Sequence, residues 1–162
     1  MSNIDILIKV RSVKDTFRKR LTPGIGNIDR RQRKPSKHEM SMAEVVVREF
    51  GGKIKFLKEK RQEGIKMPDA IWSGIKLEIK EASGKSSINN RVRKGVEQVG
   101  ERGIIFLDIS KNKKNIKEIR TEAINRVKRS KTESKSKYFH INIIFFKKGK
   151  VLDVVEIKKR KA

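Results

Sequence analysis

Hydrophobic periodicity along this 162-residue chain predicts a mixed α/β domain. Three observations carry that prediction. Segments with apolar residues at helical spacing alternate with short apolar runs of strand length. Gly103 to Ser110 (GIIFLDIS) is nearly continuous in apolar residues, as expected of a strand buried on both faces. Charge of the two signs is close to balance only in the middle of the chain, which marks a folded core between basic flanks.

Taken in order, residues 1–37 hold a short apolar alternation (Ile4, Ile6, Ile8, Val10), then TPGIGN and the run Arg30-Arg31-Gln32-Arg33-Lys34-Pro35. Pro, Gly and adjacent like charges oppose regular structure, so this segment reads as a basic arm with at most one helix or strand. From Lys37 to Phe50, Ala43, Val46, Val47 and Phe50 follow helical spacing, and Gly51-Gly52 supplies a stop. Lys53 to Leu57 reads as a strand. Asp69 to Ser73 and Lys76 to Ala82 read as a hairpin joined around Gly74. Ser86 or Ser87 caps a helix running to Val99, with Ile88, Val92 and Val99 inward. After GIIFLDIS a further helix spans Asn115 to Arg129, SKTESKSK is a loop, and Tyr138–Phe146 with Val151–Ile157 forms a second hairpin. The domain is thus expected over 38–162, as a core at 38–110 and a basic extension at 111–162.

Composition narrows the function classes. Lys and Arg number 43 against 19 Asp and Glu, a formal net of +24, and such an excess implies a polyanionic partner, nucleic acid first. Met1 to Lys37 has 11 cations against 3 anions, His38 to Ser110 has 14 against 11, and Lys111 to Ala162 has 18 against 5. No apolar run approaches the roughly 20 residues of a membrane span, and Met1 to Val10 lacks the pattern of a signal peptide. The chain is expected to be soluble and to act in a cytoplasm. Zero cysteines exclude disulfides, thiolate catalysis and Cys-based zinc sites, and two histidines leave oxygen as the main ligand for any metal.

The chemistry concentrates in Pro68 to Lys80, PDAIWSGIKLEIK. Side chains alternate along a strand, so Lys76, Glu78 and Lys80 share one face while Leu77 and Ile79 share the other. A hairpin brings Asp69 beside Glu78. Two carboxylates with nearby backbone carbonyls are the oxygen ligands that a hard cation such as Mg²⁺ or Mn²⁺ prefers. Lys80 would stand about 7 Å along the same face, within reach of an attacking water or a phosphate. The plain alternative is a solvated strand face with a surface ion-pair ladder of small energetic weight. Trp72 falls on the opposite face from Asp69, so core is its expected place.

These residues resemble the PD-(D/E)xK nuclease superfamily, and more narrowly the C-terminal nuclease domain of contact-dependent inhibition toxins of the CdiA type and phage-borne relatives. The pattern comprises His38-Glu39, Ala43-Glu44, Gly51 or Gly52, Phe56-Leu57, Pro68-Asp69-Ala70, Leu77-Glu78-Ile79-Lys80, a helix ending near Gln98, and Ile104-Ile105-Phe106-Leu107-Asp108. It covers His38 to Ser110 and, loosely, the last hairpin. The resemblance implies a restriction-endonuclease-like core of helix, three strands, helix, strand, here with a C-terminal helix and β-hairpin added.

It also implies roles. Asp69 and Glu78 would bind a divalent metal, Mg²⁺ or Mn²⁺, with the Ile79 carbonyl as a third ligand, and Lys80 would orient or deprotonate the water. A glutamate on the first helix would complete the site. Of the two candidates, Glu39 lies on the inward stripe with Ala43, Val46 and Phe50, whereas Glu44 aligns with Arg48, so Glu39 is preferred; its other reading is a helix-start carboxylate. Gln98 is a candidate to orient phosphate or water. Ser83, Lys85, Arg91 and Lys94 are candidate nucleic-acid contacts, with helix capping the competing role for the serines near Gly84. Glu81, next to Lys80, should point to the opposite face, and His38 is a candidate second acid or base. The implied activity is endonucleolytic phosphodiester hydrolysis, with tRNA favoured over DNA and an acidic immunity protein as partner. The rival class is a non-catalytic basic protein that coats DNA or RNA.

Overall fold

A computed structural model describes residues 6–11, 21–58, 67–84 and 87–159. It is a mixed α/β fold built on one eight-stranded sheet with three helices. The strands are β1 (Ile6–Arg11), β2 (Gly26–Asp29), β3 (Gly52–Phe56), β4 (Ala70–Trp72), β5 (Ile75–Glu81), β6 (Arg102–Asp108), β7 (Phe139–Lys147) and β8 (Lys150–Lys159). The helices are α1 (Lys37–Glu49), α2 (Ser87–Val99) and α3 (Ile116–Glu133). From α1 to β6 the order is helix, three strands, helix, strand, and α3 with the β7–β8 hairpin follows, as expected.

Across the sheet the order is β1-β8-β7-β6-β5-β4-β3-β2. β5, β6 and β7 run parallel, joined by crossovers through α2 and α3, and both helices lie over the same face because both connections step the same way along the sheet. Their core includes Ile88, Val92, Ile119, Val127, Ile105 and Leu107. The opposite face carries α1, whose Ala43, Val46 and Phe50 pack with Ile54, Trp72, Leu77, Ile79 and Phe106. β6 is central and buried from Gly103 to Asp108, which accounts for its unbroken apolar run.

Two elements differ from the sequence reading. α3 continues four residues beyond Arg129, because Lys131 turns inward and its ammonium donates to the Gly100 carbonyl at 2.7 Å, tying the last turn down. The basic segment before residue 37 does not stand apart from the sheet. β1 joins it antiparallel to β8, and β2 joins the far edge parallel to β3, so the first 37 residues supply both edge strands. Backbone hydrogen bonds available at a sheet edge outweigh the local preference of a Gly- and Arg-rich sequence for irregular structure.

The turn from α1 into β3 positions the hairpin. Gly51 and Gly52 have φ of +87° and +90°, and a Cβ on Gly51 would stand 2.0 Å from the Thr22 carbonyl oxygen, so side chains are excluded there. The Trp72 indole N–H donates to the Gly51 carbonyl at 2.9 Å, locking β4 to this turn.

Candidate active site

β4 and β5 pair Ala70 with Leu77, Ile71 with Lys76 and Trp72 with Ile75. One step further along the same register, Asp69 stands opposite Glu78. The contact is close: the Asp69 N–H donates to Glu78 Oε1 at 3.1 Å, and the Ile79 N–H donates to Asp69 Oδ2 at 2.8 Å. N–H and C=O of one strand residue point the same way, so the Ile79 carbonyl also faces the side where β4 has ended. Lys80 Nζ is 3.7 Å from Glu78 Oε2. Asp69, Glu78 and Lys80 are thus brought together by a single hairpin.

Glu78 lies on the face covered by α2 and is fully buried, with Oε2 lacking a hydrogen-bond partner among the described residues. Burial first, then the adjacent Asp69, pushes its carboxyl up to about 9, against the weaker opposing pull of Lys80. A buried carboxylate oxygen without a donor is costly. A hard divalent cation held between Asp69 and Glu78 would complete it, so the donor set fits such an ion.

Glu39 is turned inward, as its place on the helix stripe predicts, but it meets a guanidinium. Arg33 Nη1 and Nη2 donate to its two oxygens at 3.0 and 2.8 Å, and the Ser36 N–H donates to Oε1 at 3.0 Å while the Ser36 hydroxyl accepts from the Glu39 N–H. This is a capping box at the start of α1. Burial raises the Glu39 carboxyl, but the Arg33 and Ser36 hydrogen bonds outweigh it and hold the group below the usual range. Arg33 continues to the hairpin: Nη2 reaches the Asp69 carbonyl at 3.2 Å and lies 4.0 Å from Asp69 Oδ1. Glu39 is therefore linked to Asp69 through Arg33, while α1 itself covers the sheet face away from Glu78 and Lys80.

The other candidates fall elsewhere. In the β5–α2–β6 crossover α2 runs back from the Lys80 end of β5, so Gln98 lies in its last turn near the start of β6, and its Oε1 is buried without a partner among the described residues. Ser83 is exposed just beyond β5, Arg91 and Lys94 are exposed on α2, and Lys85 lies outside the described residues, as does the proposed cap Ser86. Glu44 is exposed.

Glu81 points to the α1 face, opposite Lys80. There it forms a cluster with His38 and Asp108 whose ligating atoms lie within 4.8 Å of one another. His38 Nε2 is 2.8 Å from Asp108 Oδ2 and 3.7 Å from Glu81 Oε2, Lys111 meets Glu81 Oε1 at 3.3 Å, and Ser110 donates its N–H and hydroxyl to Asp108 Oδ1. These groups satisfy one another and tie α1 to the ends of β5 and β6. The Ser110 and His38 hydrogen bonds outweigh burial and keep the Asp108 carboxyl low.

Arg33 is the site residue that sequence reading passed over. It sits inside a run of like charges, and its one distinguishing signal is Pro35-Ser36 behind it, which turns the chain into α1. On the β2 edge, Arg30, Arg31, Lys34 and Lys53 line an open groove of about 670 Å³. No family model, no curated protein and no solved structure matches the chain.

Proposed function

We propose that the chain is a metal-dependent endonuclease acting on nucleic acid, with Asp69 and Glu78 holding one divalent cation, Mg²⁺ or Mn²⁺, and Lys80 serving the attacking water. The observation that carries this reading is the buried Glu78 Oε2, without a hydrogen-bond donor among the described residues, set between Asp69 and the Lys80 ammonium. A surface ion-pair ladder would leave these charges wet. A bound cation supplies neutralisation of the phosphate oxygens and acidifies water.

The chain's own residues do the rest. Asp69 and Glu78 fix the ion through a hairpin whose register is set by Ala70, Trp72 and Leu77 in the core. Lys80 orients the water and stabilises negative charge as the water oxygen bonds to phosphorus and its proton passes to solvent, while the bond to the leaving oxygen breaks and that oxygen takes a proton from solvent. The groove beside β2 and the exposed Arg91 and Lys94 hold phosphates along the backbone. Glu39 is assigned to the helix cap and the Arg33 ion pair rather than to the metal.

Resemblance to toxin nucleases favours tRNA over DNA as substrate, a cytoplasmic site of action, and a small acidic immunity protein as partner. The test is incubation of the protein with plasmid DNA, single-stranded DNA and total tRNA, with and without Mg²⁺ or Mn²⁺. Metal-dependent cleavage of one of these is expected; binding with no cleavage in any combination would favour the basic coat protein instead.

A further inference from the structure

Arg33 stands between Glu39 and Asp69. Its Nε donates to the Leu57 carbonyl at 2.9 Å, Nη1 and Nη2 grip both oxygens of Glu39, and Nη2 also reaches the Asp69 carbonyl. The guanidinium carbon lies 5.2 Å from the centre of the Phe56 ring, and the side chain is 18% exposed. Partners come from three places in the chain: the end of β3, the first turn of α1 and the entry to β4. A guanidinium stays charged at any pH a protein survives, and its planar fork matches a carboxylate in two parallel bonds. Turning it out would leave the half-buried Glu39 carboxylate without the donors that stabilise it.

Glu39 is the carboxylate that would otherwise join Asp69 in holding a metal. With Arg33 against both its oxygens and the Ser36 N–H against one of them, three of its roughly four lone-pair sites are engaged and a fixed positive charge faces any ion approaching from that side. On the other side of Asp69, Glu78 Oε2 has no hydrogen-bond partner among the described residues, and the Lys80 ammonium stands 3.7 Å away. The two halves of the centre differ in the one respect that decides where a cation goes.

We propose that Arg33 is a built-in cation that fills the Glu39 side of the centre, so that the protein takes one divalent ion, at Asp69 and Glu78, and not two. This rests on the nuclease reading above and adds the number and place of the ions to it. Arg33 is a positioning residue: it holds Asp69 through its carbonyl, which also accepts from the Leu57 N–H at 3.0 Å, and it sets the charge beside the ion.

The experiment is titration of the full chain with Mn²⁺ in the absence of nucleic acid, counting bound ions by calorimetry and by the loss of the free Mn²⁺ electron-spin signal. Wild type is expected to bind one ion per chain. Glu39→Gln should also bind one, because Glu39 is not a ligand. Arg33→Met frees Glu39 and should gain a second, weaker ion. Arg33→Lys, which keeps a positive charge, should remain at one.

Two ions on wild type, or no ion on Glu39→Gln where wild type binds one, would overturn the assignment of Arg33. No ion on wild type would instead overturn the metal-dependent reading itself. Should Arg33→Met fail to fold, the ion counts on wild type and on Glu39→Gln decide the matter alone.

Discussion

Replacing Glu78 with Gln should make the protein more stable, and increasingly so as pH rises. The substitution keeps the shape of the side chain and an oxygen to accept from the Asp69 N–H, which now lies 3.1 Å from Oε1, while removing the titrating proton. Burial and Asp69 place the wild-type carboxyl at about 9, against 4.5 for an ordinary glutamate. Between those values the folded chain carries a proton that the unfolded chain has released. Wild-type stability therefore falls as pH rises through this window, by at most about 1.4 kcal/mol per unit. From about pH 5.5 to about pH 8.5 the upper limit is roughly 4 kcal/mol, and because the Lys80 charge lies close, about 1–3 kcal/mol is expected.

The assay is urea unfolding of wild type and Glu78→Gln at both pH values with divalent ions chelated. Taking the difference between the two proteins cancels the pH dependence that the large net charge imposes on both. A gap that widens by about 1–3 kcal/mol towards the higher pH is expected. Equal pH dependence in the two proteins would refute the reasoning, since it would mean that Glu78 ionises in the fold as readily as in the unfolded chain.

Three other perturbations test separate parts of the structure. Arg30→Ala with Lys34→Ala should weaken nucleic-acid binding and reduce the slope of log affinity against log salt by about 1–2, measured by fluorescence anisotropy at several salt concentrations; an unchanged slope would remove the β2 groove from the interface. Gly52→Ala should destabilise by about 2–4 kcal/mol in urea unfolding, because its φ is +90° and a Cβ would stand 2.5 Å from Ser73 Oγ and 2.8 Å from Trp72 Nε1. Trp72→Phe leaves the Gly51 carbonyl without its buried donor and should cost about 1–3 kcal/mol by the same measurement.

Much of the fold was legible because its signals are local. Ala43, Val46 and Phe50 mark one helix stripe, GIIFLDIS marks a strand covered on both faces, and the alternation in IKLEIK assigns Glu78 and Lys80 to one side and Leu77 and Ile79 to the other. The juxtaposition of Asp69 and Glu78 follows from the hairpin register, which a short turn at Ser73-Gly74 fixes. What periodicity does not carry is which face of the sheet a helix will cover. The stripe on α1 says that Glu39 turns towards the sheet; it does not say that α1 lies on the face opposite Glu78, with Arg33 between Glu39 and Asp69. The edge strands were hidden for a related reason. Residues 6–11 and 26–29 pair with β8 and β3: the alternation of Ile6, Ile8 and Val10 allowed one strand, but nothing local in it or in GNID announces a partner more than twenty residues away.

The account stands on the claim that the PDAIWSGIKLEIK hairpin is a catalytic centre and not a charged surface. Its most direct test is Lys80→Ala, assayed for cleavage and for binding on the same DNA and tRNA substrates with Mg²⁺ or Mn²⁺. On the proposed reading the Lys80 ammonium, 3.7 Å from Glu78 Oε2, serves the attacking water while the groove beside β2 holds the backbone, so cleavage should fall by about a hundredfold or more while affinity changes by less than about threefold. A Lys80→Ala protein that cleaves as fast as wild type would contradict the claim.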